Sequence, residues 1–216
     1  MKRLRLGILI SGRGSNLQAL IAAAAAPDYP AEIALVLSNR PDAAGLGRAT
    51  AAGLATAVVD HKRFGERAAF DAEIDRALRT HRVELVCLAG FMRLLTPGFV
   101  AAWSDRMINI HPSLLPAFKG LHTHARALAA GVRFAGCTVH FVRPEMDEGP
   151  IIVQAAVPVL AGDDEASLAA RVLEAEHRCY PQAVRWIAEG RARIVDGRVV
   201  IDGAPAPPDG LINPGA

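Results

Sequence analysis

The stretch LRLGILISGRGSNLQAL, residues 4–20, sets the pattern that the first half of the sequence repeats. Its apolar run at 4–10 predicts a buried β-strand, and Gly12 and Gly14 allow a tight turn before a helix at 17–26. Exposed N–H groups at such a helix N-terminus attract an anion, most often phosphate, and Ser15 can cap the helix. The third glycine of a dinucleotide fingerprint and the Lys-Ser/Thr pair of a P-loop are both missing. The turn therefore favours a compact phosphate monoester, with an ordinary strand–helix turn as the alternative.

The same alternation of strand and helix continues to residue 90. Further strands are predicted at 32–38, 55–60 and 84–90, with helices at 40–53 and 64–81. This order indicates a parallel sheet that helices cover on both faces.

The second half has a different texture. Strands are predicted at 106–111, within 131–142 and at 150–159, followed by a helix over 163–180 that Pro181 should kink or restart and Gly190 should stop. Asp196-Gly197 then predicts a β-hairpin with a type I′ turn, and the Pro- and Gly-rich end predicts a flexible tail.

Composition narrows the classes of protein to consider. The chain has 216 residues, 51% of them hydrophobic, and a formal net charge of +2 with scattered basic residues, which argues against a nucleic-acid surface. No segment reaches the roughly 18 uninterrupted apolar residues of a membrane span. The three cysteines lack metal-site or CxxC spacing and, being odd in number, give no disulfide framework, so we expect reduced thiols in a cytoplasmic protein.

Two polar side chains stand at the end of a strand that should be buried. In MINIHPSLLP, residues 107–116, Asn109 and His111 are two positions apart and share one face of the strand, and Pro112 ends it. Ligands collect at the carboxyl ends of parallel strands, where an Asn can donate to an oxyanion and a His can move a proton. A histidine that only bonds locally at a strand end is the alternative.

A third polar group lies in the loop between two later strands. Asp147 is followed by Gly149 and Pro150, which make the turn tight. A partly buried carboxylate beside His111 would stabilise the imidazolium and fix the orientation of the ring. The alternative is a solvated loop in which Asp147 is one of three surface acids, with Glu145 and Glu148.

Four segments carry a resemblance to a known family. ISGRGSNLQAL, LAGFMRLL, NIHPSLLPAFKGLHTH and GCTVHFVRPEMDEGPII are similar in order and spacing to segments of the folate-dependent formyltransferases, a likeness that runs from about residue 4 to 190. The resemblance implies a three-layer α/β fold with a mainly parallel twisted sheet of about seven strands, helices on both faces and, here, a C-terminal β-hairpin. It implies a single domain at 1–190, with a phosphate-binding half at about 1–100 and a catalytic and folate half at about 101–190, before a hairpin at 191–203 and a tail at 204–216.

The resemblance also implies an activity and a co-substrate. The formyl group of 10-formyltetrahydrofolate would pass to the amine of glycinamide ribonucleotide in de novo purine (IMP) biosynthesis, giving formylglycinamide ribonucleotide and tetrahydrofolate. No metal is expected, because the formyl group is already an activated acyl donor. The partners are then two small molecules, without nucleic acid or membrane, and the oligomeric state is left open.

The site residues implied by the resemblance fall into three groups. The catalytic group is Asn109, His111 and Asp147. The ribonucleotide phosphate and amine would contact Gly14, Ser15, Asn16 and Glu176. The folate would contact Arg67, Met92, Arg93, Leu94, Leu95 and Asn109, although core packing is the alternative for the residues at 92–95 and a solvated helix face the alternative for Glu176. At Leu173, one turn before Glu176, the resemblance implies a polar substrate contact, and the leucine is a departure from that pattern in the amine pocket.

Four other functions are alternatives to formyl transfer to glycinamide ribonucleotide. His122 and His124, with His111, His140 and Asp147, could be assembled on paper into a zinc hydrolase site. A formyltetrahydrofolate deformylase normally carries an extra N-terminal regulatory domain, and the first strand here starts at about residue 4. A methionyl-tRNA formyltransferase would need a C-terminal RNA-binding domain, and only a hairpin and tail follow residue 190. A noncatalytic folate- or nucleotide-binding module would not need Asn109, His111 and Asp147, all of which are present.

Overall fold

A seven-stranded sheet forms the centre of the protein in the computed structural model, which describes residues 2–204 and 211–213. Its strands are β1 (Leu4–Ile10), β2 (Ala31–Ser38), β3 (Thr56–Val58), β4 (Leu85–Leu88), β5 (Met107–His111), β6 (Phe134–Phe141) and β7 (Ile151–Pro158). They lie in the order β3-β2-β1-β4-β5-β6-β7. The first five strands pair in parallel, whereas β6 runs antiparallel to both β5 and β7. The mainly parallel sheet of about seven strands is confirmed.

The strand order reverses direction between β1 and β4. From β1 the chain moves outward through β2 to β3, and then returns to place β4 on the other side of β1. In open α/β sheets, ligands bind at such a switch point, in the crevice outside the carboxyl ends of the strands. The turns that follow β1 and β4 are therefore the first place to look for a site.

Helices form a layer on each face of the sheet. They are α1 (Ser15–Ala24), α2 (Ala44–Ala51), α3 (Arg67–Thr80), α4 (Pro97–Ala102), α5 (Thr123–Ala129) and α6 (Glu165–Ala188), and a 3₁₀ turn lies at His61–Arg63. Buried side chains of α1, α2, α5 and α6 join one apolar core, and those of α3 and α4 join the other. The two cores confirm the three-layer arrangement, although α4 and α5 were not predicted from the sequence.

Of the two outcomes predicted at Pro181, a kink or a restart of the helix, the restart is wrong, because the longest helix, α6, runs through the proline. A proline inside a helix removes one backbone hydrogen bond, yet α6 continues to Ala188 as one element. Tyr180, Ala183 and Val184 on either side of the proline are fully buried, so packing against the sheet offsets the lost bond. The phenol of Tyr180 also donates to the Leu88 carbonyl at 2.9 Å, which ties α6 to β4. The helix ends just before Gly190, as predicted.

A two-stranded antiparallel hairpin follows α6. It consists of β8 (Ala192–Val195) and β9 (Arg198–Ile201), joined at Asp196 and Gly197. Both turn residues have positive φ, 49° and 74°, as a type I′ turn requires. Of the tail predicted at 204–216, positions 205–210 and 214–216 lie outside the described residues. Across the part of the chain that is described, none of the helices has the length and apolarity needed to span a bilayer.

Two glycines offer a matched test of this packing. At Gly136 on β6, an added Cβ would lie 1.9 Å from the Ala155 carbonyl oxygen of β7, so the strands would have to separate. At Gly47, inside α2, nothing lies within 4 Å. We expect Gly136→Ala to lower the free energy of unfolding by about 3 kcal/mol or more.

The control, Gly47→Ala, should raise the free energy of unfolding by about 0.5–1 kcal/mol, because alanine loses less conformational entropy in a helix. Urea unfolding of both variants measures the difference. A Gly136→Ala protein as stable as wild type would show that β6 and β7 are not packed this closely.

Candidate active site

Polar residues converge beside the switch point of the sheet. The register aligns Leu9 of β1 with Leu88 of β4, Leu88 with Asn109 of β5, and Asn109 with His140 of β6. One row across the sheet thus changes from apolar to polar at β5. The turn after β1 and the segment after β4 emerge next to this polar half of the row.

His111 ends β5 and is 6% exposed. Its Nδ1 lies 3.5 Å from Oδ1 of Asp147, and its Nε2 lies 3.1 Å from the carbonyl oxygen of Phe118. Both ring nitrogens therefore face oxygen atoms that only accept hydrogen bonds. An imidazolium needs this arrangement to place both of its protons.

Asp147 reaches His111 because the loop after β6 folds back over β5. Its backbone is left-handed, with φ 54°, and its Oδ2 accepts a hydrogen bond from the Gly120 N–H at 2.7 Å. Gly149 makes the return possible, since its φ is 124° and a Cβ there would lie 2.1 Å from the Phe141 carbonyl. The carboxylate is thus held by two loops and is not one of a set of solvated surface acids.

Asn109 has a neighbour whose role the sequence did not reveal. His140 is 2% exposed, and its Nδ1 lies 3.0 Å from the Phe141 carbonyl, to which it can donate. Burial lowers the pKa of His140, so the ring is neutral near pH 7 and its Nε2 is free to accept. That Nε2 lies 3.3 Å from Nδ2 of Asn109 and orients the amide. In the sequence, the alternation along the strand places Thr138 and His140 on one face, but it does not give the register between β5 and β6 that sets His140 opposite Asn109.

The turn after β1 is built for close backbone approach. Gly14 has φ 73°, and a Cβ there would lie 2.8 Å from Cα of Gly45. Gly14 itself is the N-cap of α1 and no side chain caps the helix, so the prediction that Ser15 is the cap is wrong. Ser15 is the first helical residue, and the position before it favours glycine because its backbone is left-handed and Gly45 leaves no room for a Cβ.

Asn16 and Glu176 meet between α1 and α6. Nδ2 of Asn16 donates to Oε2 of Glu176 at 2.6 Å, and both side chains are buried. Burial raises the pKa of Glu176, and the hydrogen bond from Asn16 opposes that rise. Within the described residues, Oδ1 of Asn16 is buried with no hydrogen-bond partner. Leu173 is half-buried on α6, one turn before Glu176.

The segment after β4 presents apolar side chains to solvent. Met92 is 67% exposed and Leu94 is 60% exposed, which excludes core packing as their role. Arg93 is exposed as well, whereas Leu95 packs against the core beneath α3 and α4. Arg67 is exposed at the first position of α3. Neighbouring exposed apolar side chains beyond the carboxyl end of a central strand are typical of a ligand surface.

The hypothetical zinc site does not assemble. Over positions 2–204 and 211–213, no three or more His, Cys, Asp or Glu side chains are grouped in a way that could hold a metal ion. His122 is exposed at the N-cap of α5, while His124 is half-buried. His140 and Asp147 instead make the contacts described above.

The chain is similar in sequence and in fold to known proteins. The model of the formyl transferase family matches residues 4–184, and the chain belongs to that family. The chain is 46% identical over 203 residues to phosphoribosylglycinamide formyltransferase of Escherichia coli. The aligned region covers 94% of this chain and 96% of that protein. In structure the chain is similar to glycinamide ribonucleotide transformylase 1 from Symbiobacterium toebii, with a TM-score of 0.90, 50% identity and coverage of 92% and 94% of the two chains.

A second kind of relative is much longer. The chain is 50% identical over 192 residues to the trifunctional purine biosynthetic protein adenosine-3 of Gallus gallus. The aligned region covers 89% of this chain but 19% of the relative. The chain therefore spans about a fifth of the length of that protein.

The buried carboxyl of Glu176 gives a prediction about pH. Because the pKa of Glu176 is raised in the folded protein, its carboxyl makes folding less favourable as pH rises above 4.5, the usual pKa of a glutamate. Glu176→Gln keeps an acceptor for Asn16 without the buried charge. We expect the variant to gain stability relative to wild type as pH rises from about 4.5 to 7.

Urea unfolding across that pH range measures the effect, with Glu174→Gln as the control because Glu174 is exposed on the same helix. Identical pH dependence in both variants would contradict the burial argument.

Proposed function

We propose that this protein transfers the formyl group of 10-formyltetrahydrofolate to the amine of glycinamide ribonucleotide. The products are formylglycinamide ribonucleotide and tetrahydrofolate, and the reaction belongs to purine biosynthesis. One observation carries the proposal. Nδ1 of His111, on the strand that also carries Asn109, lies 3.5 Å from Oδ1 of Asp147. The near full-length likeness to phosphoribosylglycinamide formyltransferases supports the choice of substrates.

The reaction begins when the substrate amine attacks the formyl carbon. The carbonyl electron pair moves to oxygen and forms a tetrahedral oxyanion. The Asn109 amide, whose orientation His140 fixes, and the Nε2–H of His111 are the donors that would stabilise it. The Nε2–H is held by the Phe118 carbonyl, so the reacting group has to replace that carbonyl as its acceptor.

Collapse of the oxyanion breaks the bond from carbon to the folate nitrogen. The attacking nitrogen loses a proton and the leaving nitrogen gains one. His111 would carry the proton from the first nitrogen to the second. Asp147 keeps the ring oriented through Nδ1 and balances its positive charge during the transfer. Proton transfer by a positioned group contributes about 10²–10⁴-fold to the rate.

Each substrate is assigned to one side of the switch point. The phosphate would bind the backbone turn at Gly14–Asn16, where helix α1 directs its N–H groups outward. The amine end would lie near Glu176. The folate would bind the exposed segment Met92–Leu95, with Arg67 contacting its acidic end. The buried, unpaired thiols of Cys87, Cys137 and Cys179 fit a reducing, cytoplasmic setting, which is part of the same proposal.

A single assay tests this function against its alternatives. Purified protein is mixed with 10-formyltetrahydrofolate, with and without glycinamide ribonucleotide, and the deformylated folate is followed by absorbance. Release that requires the amine supports transfer. Release without the amine would identify a deformylase, and no release in either case would leave a binding role.

Replacement of the catalytic groups should lower turnover without unfolding the protein. We expect His111→Ala to lower kcat by about 10²–10⁴-fold, because the proton carrier and one oxyanion donor are both lost. Asp147→Asn should lower kcat by roughly 10²-fold or more, because the ring loses its charged partner. Kinetics and circular dichroism of both variants are the measurements.

Two controls accompany these variants. His81→Ala removes an imidazole at the end of α3, and Glu145→Gln neutralises an exposed acid in the same loop as Asp147. Both should keep wild-type kcat. Full activity in His111→Ala or Asp147→Asn would refute the assigned roles.

A further inference from the structure

A buried serine at the switch point bonds to both sides of the crevice. Ser11 directly follows β1 and is 6% exposed. Its backbone N–H donates to the Gly90 carbonyl at 3.1 Å, and its Oγ accepts from the Met92 N–H at 2.7 Å. The side chain thus fixes the backbone at the beginning of the exposed segment Met92–Leu95.

The hydroxyl proton of Ser11 extends the contact to a second strand. It is donated to Oδ1 of Asn39 at 2.5 Å, and Asn39 follows β2 and is 2% exposed. The backbone carbonyl of Asn39 accepts from Nδ1 of His61, 2.9 Å away in the 3₁₀ turn after β3. Ser11, Asn39 and the Met92 N–H are called the Ser11 clamp below.

The clamp leads to the helix that carries Arg67. The His61 ring meets Phe70 edge-on with their centroids 6.5 Å apart, and Phe70 is buried in the first turns of α3. Hydrogen bonds and an aromatic contact therefore connect Met92 with the start of α3. These are the two regions to which the folate is assigned.

We infer that Ser11 and Asn39 are positioning residues for the folate co-substrate. They hold residues 92–95 at a fixed place relative to the proposed phosphate turn, which begins at Gly14, three residues after Ser11. Neither side chain needs to contact a substrate for this role. The inference rests on the proposed function, since it assumes that Met92–Leu95 binds the folate.

Removal of the hydroxyl tests the inference. Ser11→Ala leaves the Met92 N–H and Oδ1 of Asn39 without partners in a buried setting, so the segment should loosen. We expect KM for 10-formyltetrahydrofolate to rise about tenfold, while kcat and KM for glycinamide ribonucleotide change less than about twofold. Hydrogen–deuterium exchange should be faster in the peptide that contains Met92.

Ser38→Ala is the matched control. Ser38 is fully buried at the end of β2, but among the residues that the structure describes its hydroxyl bonds only to the backbone of Arg40, at 2.9 and 3.0 Å. The control also loses a buried hydroxyl, yet KM for the formyl donor and exchange at Met92 should stay as in wild type. A comparable change in the control would show that general loosening, not the clamp, is responsible.

Asn39→Ala opens the clamp from its other end and replaces Ser11→Ala if that variant does not fold. It should give the same selective rise in KM for the formyl donor. Equal changes in both KM values, or unchanged exchange at Met92, would overturn the inference. Because the exchange measurement needs no substrate, it tests the clamp even if wild-type protein transfers no formyl group, a result that would refute the proposed function separately.

Discussion

The parallel pairing of β1 with β4 is the constraint on which the site depends. These strands are neighbours in the sheet although two strands and three helices separate them along the chain. Their register places the turn after Leu9 beside the segment after Leu88, and β5 continues the same row at Asn109. The turn proposed to bind phosphate, the segment proposed to bind folate and the Asn109 amide can share one crevice only because these three strand ends are side by side.

The loop at 118–120 depends on the same side chains as the chemistry. Its Phe118 carbonyl accepts from His111 Nε2, its Gly120 N–H donates to Asp147, and Asp147 contacts His111. Phe118 has φ 53°, a left-handed conformation that costs a non-glycine residue on the order of 1 kcal/mol. The loop contacts offset that cost. A substrate that replaced the Phe118 carbonyl as the acceptor of the Nε2 hydrogen bond would remove one of the contacts that hold this loop.

Local rules predicted the elements better than the contacts between them. The first strand has the bounds that its apolar run indicated, and the Asp196-Gly197 turn has the predicted positive φ values, because neighbouring residues decide both features. The predicted restart of the helix at Pro181 is wrong for the opposite reason. Burial of the residues on both sides of the proline overrides its local tendency to break a helix. His140 could not be assigned because its contact with Asn109 depends on the register of β5 and β6, to which two distant segments contribute. The partner of Ser11 is likewise unrecognisable until β2 and β4 are placed beside β1.

Asn109 and His111 are held in different ways, and the difference suits their proposed tasks. Stabilisation of an oxyanion is most effective when the donor is already fixed, because no reorganisation is then needed as charge develops. Asn109 meets this condition, since it lies within a strand that is paired on both sides and His140 holds its amide. A proton relay has to exchange partners during the reaction, and both contacts of the His111 ring come from loops. Both proposed donors thus lie two residues apart on the same face of β5, but Asn109 is fixed by contacts within the sheet and His111 by contacts from loops.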